Sequence, residues 1–114
     1  MTIYKRGDVV LVAFPFSDQT ATKKRPAIVI SSSAYNEVSQ DIVILAVTSR
    51  IEKGSEIGEC PIQNWKDAGL LKPSAIKPAI STITQALVLK KLGSLSARDL
   101  SSTDRALREL LTLE

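Results

Sequence analysis

Arg25, Thr48 and Ser49 are the residues on which this chain could do chemistry. Arg25 belongs to Lys23-Lys24-Arg25-Pro26, which follows Phe14-Pro15-Phe16-Ser17-Asp18. Thr48 and Ser49 lie about two dozen residues further on, in Ala46-Val47-Thr48-Ser49-Arg50. Each segment reads as a strand that runs into polar and cationic residues. If the two strands are neighbours, a guanidinium and two hydroxyls share one pocket. That set suits a phosphodiester, with planar charge for the phosphoryl oxygens and hydroxyls to hold the geometry. The chemistry points to RNA.

Composition narrows what else the chain can do. Its 114 residues, 44% of them hydrophobic, suit one domain over 1–114 with its own core. Cys60 is the only cysteine, so no disulfide can form within the chain, and it reads as a structural thiol at a strand end. There is no histidine, which excludes Ser-His-Asp and Cys-His arrangements. One cysteine and scattered carboxylates do not build a tetrahedral zinc site, so neither metal nor cofactor is expected. Lys5, Arg6 and Asp8 interrupt the start as a signal peptide would not, and the longest apolar stretch, Val9 to Phe16, is too short to span a bilayer. The expectation is a cytoplasmic protein without a membrane partner. Net charge is +3 with a pI near 9.2. The charge is clustered: Lys23, Lys24 and Arg25 are consecutive, and Lys72 and Lys77 flank a second loop. Such clusters either attract a polyphosphate backbone or are simply solvated.

The front three quarters read as strands. Val9 to Phe14 is rich in β-branched residues, and Pro15, lacking an N–H, should end regular pairing. Ser17 to Lys24 reads as a mobile loop. Ala27 to Ser31 is a second strand, Ala34 to Val38 a helical turn, and Ile42 to Thr48 an almost wholly apolar, central third strand. Arg50 to Gly54 suits a hairpin loop, and Glu56 to Ile62 a further strand. Asn64 to Ala68 suits a short helix capped by Asn64 and stopped by Gly69. Ser74 to Lys77 and Ile80 to Thr84 read as short strands split at Pro78, followed by Leu87 to Leu92. In the tail, Ser96-Ala97-Arg98-Asp99 and Ser101-Ser102-Thr103-Asp104 both have capping-box spacing. Leu100, Leu107, Leu110 and Leu111 then recur near the helical period. The expected fold is mainly β with a C-terminal α-helix, arranged as a small barrel.

Read together, Gly7-Asp8-Val9-Val10, Phe14-Pro15-Phe16, Lys24-Arg25-Pro26-Ala27-Ile28-Val29-Ile30-Ser31 and Val47-Thr48-Ser49 resemble the PemK/MazF toxins. Gly69-Leu70-Leu71-Lys72-Pro73-Ser74 and Lys91-Leu92-Gly93-Ser94-Leu95-Ser96 resemble one branch of that family. The resemblance implies an SH3-like β-barrel with a C-terminal helix, usually a homodimer. It implies a metal-independent endoribonuclease that cuts single-stranded RNA at short sequences, the toxin of a toxin–antitoxin module. A cognate antitoxin is expected to cover the RNA groove. By matching position, Arg25 and Thr48 take the catalytic roles, with Ser49 beside them. Ser17, Asp18 and Gln19 occupy a loop that contacts RNA in relatives. Phe16, Lys23, Lys24, Ser31, Lys72 and Lys77 complete the RNA-contact candidates. The loop departs from the common Glu-Gln-x-Gly pattern and holds no glycine.

Without a metal, RNA is most easily cut by its own 2′-hydroxyl, which leaves a 2′,3′-cyclic phosphate and a 5′-hydroxyl. Arg25 would stabilise charge on the phosphorane. An unassisted threonine is a poor base, so Thr48 is assigned positioning, and the base stays open. Each residue also has a plain structural reading. Arg25 could pair with a surface carboxylate, Thr48-Ser49 could satisfy loop amides, and Phe14 could belong to the core. Phe16 could join it there, or be twisted outward by Pro15 to stack on a base. The competing function is a non-catalytic module that binds RNA or a protein such as a DNA topoisomerase (DNA gyrase, for example).

Overall fold

The computed structural model describes residues 3–15, 22–51 and 57–114. Its first strand, Asp8–Pro15 (β1), is a β-branched run that can bury both faces of a sheet. Val9 enters one core cluster, and Val10 and Val12 enter another. Thr22–Val29 (β2) pairs antiparallel with β1, from Val9 opposite Ile28 to Pro15 opposite Thr22. The helix Ser33–Val38 (α1) leads into Asp41–Thr48 (β3), which pairs with β2 only over Ala27–Val29. Cys60–Pro61 (β4) and Ala75–Thr84 (β5) follow, then a 3₁₀ turn over Gln85–Leu87 and Val88–Ser94 (β6). The chain ends in the helix Ala97–Leu111 (α2). One six-stranded sheet results, in the order β4-β5-β3-β2-β1-β6. Among the described residues no helix is long and apolar enough to cross a membrane.

The mainly β fold with a C-terminal helix is as expected, whereas the sheet of the described residues is not closed, so the expected barrel is not shown. The outer strands β4 and β6 do not pair with each other. The stretch after β4 meets β6 by close backbone approach instead. A Cβ added at Gly93 would lie 2.5 Å from the Ala68 carbonyl oxygen, and one at Gly69 would lie 2.1 Å from that of Leu92. Contact without a ladder leaves the sheet open.

Three element boundaries also differ from expectation. Lys23 and Lys24 belong to β2 and not to the expected loop, because pairing with β1 overrides their polar character. Pro26 is tolerated in β2 because the ladder to β3 has already ended at Ala27. Pro78 does not split a strand. It falls where the β3–β5 register shifts between Leu45 and Val47, and the irregularity absorbs it within one continuous β5. The stretch 64–69 forms hydrogen-bonded turns and no helix. Gly69 nonetheless stops it as expected: its N–H donates to the Lys66 carbonyl and that of Leu70 to the Trp65 carbonyl, both at 3.0 Å. This is the Schellman pattern, with Gly69 at φ 86°.

Both sheet faces are packed. Ile28, Leu45, Ile62, Ala68, Ile76 and Leu107 fill one side, and Val29, Ile42 and Ile44 fill the other. Ser96 caps α2 through the Asp99 N–H at 3.2 Å. The Asp99 carboxylate does not reach back to Ser96 as a capping box would. It accepts from the backbone N–H groups of Gln63 and Asn64 at 3.0 and 2.8 Å, and so ties the helix start to the turn that follows β4.

Candidate functional site

The fork between β2 and β3 builds the site. The two strands are paired at Ala27 and Ala46 and part beyond them. Extending their register by two residues sets Arg25 against Thr48. Both border a cavity of about 830 Å³, together with Ser49 and Lys24. Its lining crosses the sheet in register, since Leu11 of β1 sits opposite both Pro26 of β2 and Lys90 of β6. The segment from Gly69 to Lys77 supplies the facing wall, including Lys72, Ser74 and Lys77.

Arg25, Thr48, Ser49, Lys24, Lys72 and Lys77 are therefore brought together, although they span three separate parts of the chain. Lys23 is exposed on β2 and does not line the cavity. Ser31 is placed elsewhere, and its hydroxyl is consumed by structure: it donates to Asn36 Oδ1 at 2.5 Å and accepts from the Val43 N–H at 3.0 Å. A side chain tied at both ends this way is a poor RNA ligand. Phe16, Ser17, Asp18 and Gln19 lie outside the described residues, as do residues 52–56.

Two cations were missed by sequence reasoning, Arg50 and Lys90. Arg50 could have been found from its place directly after Thr48-Ser49. Lys90 could not, because Lys90 and Lys91 look alike in the sequence. Only the sheet register separates them, with Lys91 3.3 Å from Asp8 and Lys90 on the cavity.

The electrostatics are one-sided. Lys24, Arg25, Arg50, Lys72, Lys77 and Lys90 line the cavity, and no aspartate or glutamate lines it among the described residues. Among the described residues none of these six forms an ion pair; the pairs present join Arg6 to Asp104 and Lys91 to Asp8. The surface-carboxylate reading of Arg25 thus has no partner among the described residues. Thr48 does satisfy a loop amide, accepting from the Arg50 N–H at 3.0 Å. That bond uses an acceptor lone pair and leaves the hydroxyl proton available to donate toward the cavity. Cys60 stands apart from the site: burial, first of all, pushes its thiol above the ordinary 9.0, which favours the protonated form. Among the described residues no three His, Cys, Asp or Glu side chains gather as metal ligands.

A guanidinium without an ion-pair partner among the described residues, and two hydroxyls, in a cationic groove can hold a phosphodiester and stabilise added charge on it. The whole-chain comparisons agree with the architecture. Residues 5–111 match the model of the PemK-like, MazF-like toxins of type II toxin–antitoxin systems. The chain belongs to this family. Its fold is similar to that of MazE–MazF from Deinococcus radiodurans, at 22% identity and a TM-score of 0.81 over 100% of both chains. It is also similar to an endoribonuclease in complex with its cognate antitoxin from a mycobacterial species, at 17% identity and a TM-score of 0.79 over 97% of each chain. The Mycobacterium tuberculosis toxin MazF-mt6 matches at 18% identity and a TM-score of 0.74, over 94% of this chain and 98% of that one. No curated protein sequence matches the chain significantly.

Proposed function

We propose that this toxin is an endoribonuclease that cuts single-stranded RNA, messenger RNA included, by attack of the RNA's own 2′-hydroxyl. The observation that carries the reading is the meeting of Arg25, Thr48 and Ser49 in a groove whose charged lining is cationic throughout among the described residues. The 2′-oxygen attacks the adjacent phosphorus, the bond to the 5′-oxygen breaks, and a cyclic phosphate and a 5′-hydroxyl are left. Arg25 meets the phosphoryl oxygens with two parallel N–H donors, and this contact strengthens as charge builds on the phosphorane. Thr48 donates from a hydroxyl oriented by its bond to the Arg50 amide. Ser49, next to it, supplies a second hydroxyl. Lys24, Lys72 and Lys77 track the backbone on either side. The structural relative named as an endoribonuclease in complex with its cognate antitoxin supports the same reading. So does family membership, which brings with it a cognate antitoxin, homodimer assembly and action in the cytoplasm as parts of the proposal.

One observation favours a second reading, a toxin of the same fold that binds RNA or a protein without cutting it. No carboxylate lines the groove among the described residues, so no general base is in view there. Incubation of the purified protein with single-stranded RNA in EDTA separates the two. Cleavage with cyclic-phosphate ends is expected, falling about a hundredfold or more in Arg25→Ala, the usual loss of one preorganised donor. Tight binding with intact RNA, or the same cleavage in Arg25→Ala, would replace the nuclease by the binder.

A further inference from the structure

Six cations explain how the groove could hold a phosphate backbone, but one of its side chains is not explained by charge. Leu71 is 94% exposed. Among the described residues it is the one large exposed hydrophobic that lines the groove. Its supports are fixed on both sides. Leu70 is buried in the core, and its N–H closes the Schellman turn onto Trp65. Gly69 packs so tightly on the Leu92 carbonyl that no Cβ fits. Beyond Leu71, the Lys72 carbonyl accepts the Ser74 hydroxyl, and the Ser74 carbonyl accepts the Ile62 N–H, both at 2.9 Å. Leu71 is therefore held out from a stiff wall. A lone exposed leucine on an open surface needs no explanation. An apolar side chain held ready over a cationic channel has a recognisable complement, namely a polymer with one charge and one flat apolar face per unit.

We propose that Leu71 packs against the face of a nucleobase adjoining the phosphate at Arg25 and Thr48, and so helps select where the RNA is cut. The inference rests on the ribonuclease reading. RNA is favoured over an acidic protein segment because the described residues of the groove offer six cations and one large exposed hydrophobic, a ratio that suits a chain charged at every unit.

The test begins by mapping the cut sites of the wild-type protein on a long RNA. An oligonucleotide is then made around one site, with 2′-deoxyribose at the scissile position so that binding is read without cleavage. Leu71→Ala is expected to weaken this binding about tenfold, the size expected from lost apolar contact. Leu71→Met is expected to restore it, with both variants melting at the wild-type temperature. Removing bases one at a time should reveal one abasic position at which wild type and Leu71→Ala bind equally. Wild-type cleavage with unchanged affinity and unchanged cut sites in Leu71→Ala would overturn the role of Leu71 while sparing the nuclease. Unchanged RNA binding with weakened binding of an acidic peptide would assign Leu71 to a protein partner instead. Failure of the wild-type protein to bind or cut RNA would overturn both readings.

Discussion

At the scale of residues, the site divides charge from geometry. Arg25 can supply charge from several positions around a phosphate, because its guanidinium is planar and long-armed. Thr48 has no such latitude, since its hydroxyl is already oriented by the Arg50 amide. Thr48→Val keeps the shape and removes the donor. It also leaves the Arg50 N–H without its acceptor, at an exposed position where water can replace it. Cleavage should therefore fall about a hundredfold, and the melting temperature should stay within about 1–2 °C of wild type. Single-turnover kinetics beside thermal unfolding would check this. Equal activity at equal stability would remove Thr48 from the site. Local sequence made this pair legible, because a guanidinium before proline and a threonine at a strand end can be read by type and spacing. Ser31 could not be excluded that way. Its bonds to Asn36 and Val43 depend on α1 folding back over β3, which no local pattern records.

At the scale of elements, the groove wall depends on a backbone fit. The chain from Ala68 to Leu70 and the β6 residues Leu92 and Gly93 approach closely enough to exclude side chains at both glycines. Gly69 carries a second constraint, its positive φ. Gly69→Ala should force either the wall or β6 to move, because the obstructing atom is a backbone carbonyl oxygen 2.1 Å from the new Cβ. The expected loss is about 2–4 kcal/mol, seen as a lower midpoint in urea unfolding. Cleavage should fall further than the unfolded fraction accounts for, since Leu71 and Lys72 ride on the displaced segment. A variant of unchanged stability would show that the approach is looser than the structure has it. The sequence marks Gly69 as a helix stop, which is right about its φ. It does not show that the same glycine admits β6, because that contact joins segments more than twenty residues apart. The continuous β5 was hidden for a similar reason. Pro78 reads as a break, and only the register shift against β3 reveals where its irregularity is absorbed.

At the scale of the whole molecule, charge is unevenly distributed. A chain of net charge +3 that gathers six cations along one groove has a net negative remainder. An approaching polyanion is drawn to the groove and away from the rest of the surface. Neither the modest net charge nor the sequence order of the lysines discloses this, because Lys24, Arg50, Lys72 and Lys90 are assembled only by the sheet. The consequence is measurable without cleavage. Binding of an uncleavable single-stranded RNA should weaken with salt, and log K should fall linearly against log salt concentration. Each phosphate neutralised contributes about −0.7 on a single strand, so a slope between about −2 and −4 is expected if three to six cations of the groove are engaged. Lys72→Ala and Lys77→Ala should each make the slope shallower by about one such step and weaken all RNA sequences alike. Leu71→Ala should instead lower affinity without changing the slope. A slope near zero in the wild-type protein, or one unaffected by both lysine substitutions, would show that the backbone follows another path across the molecule.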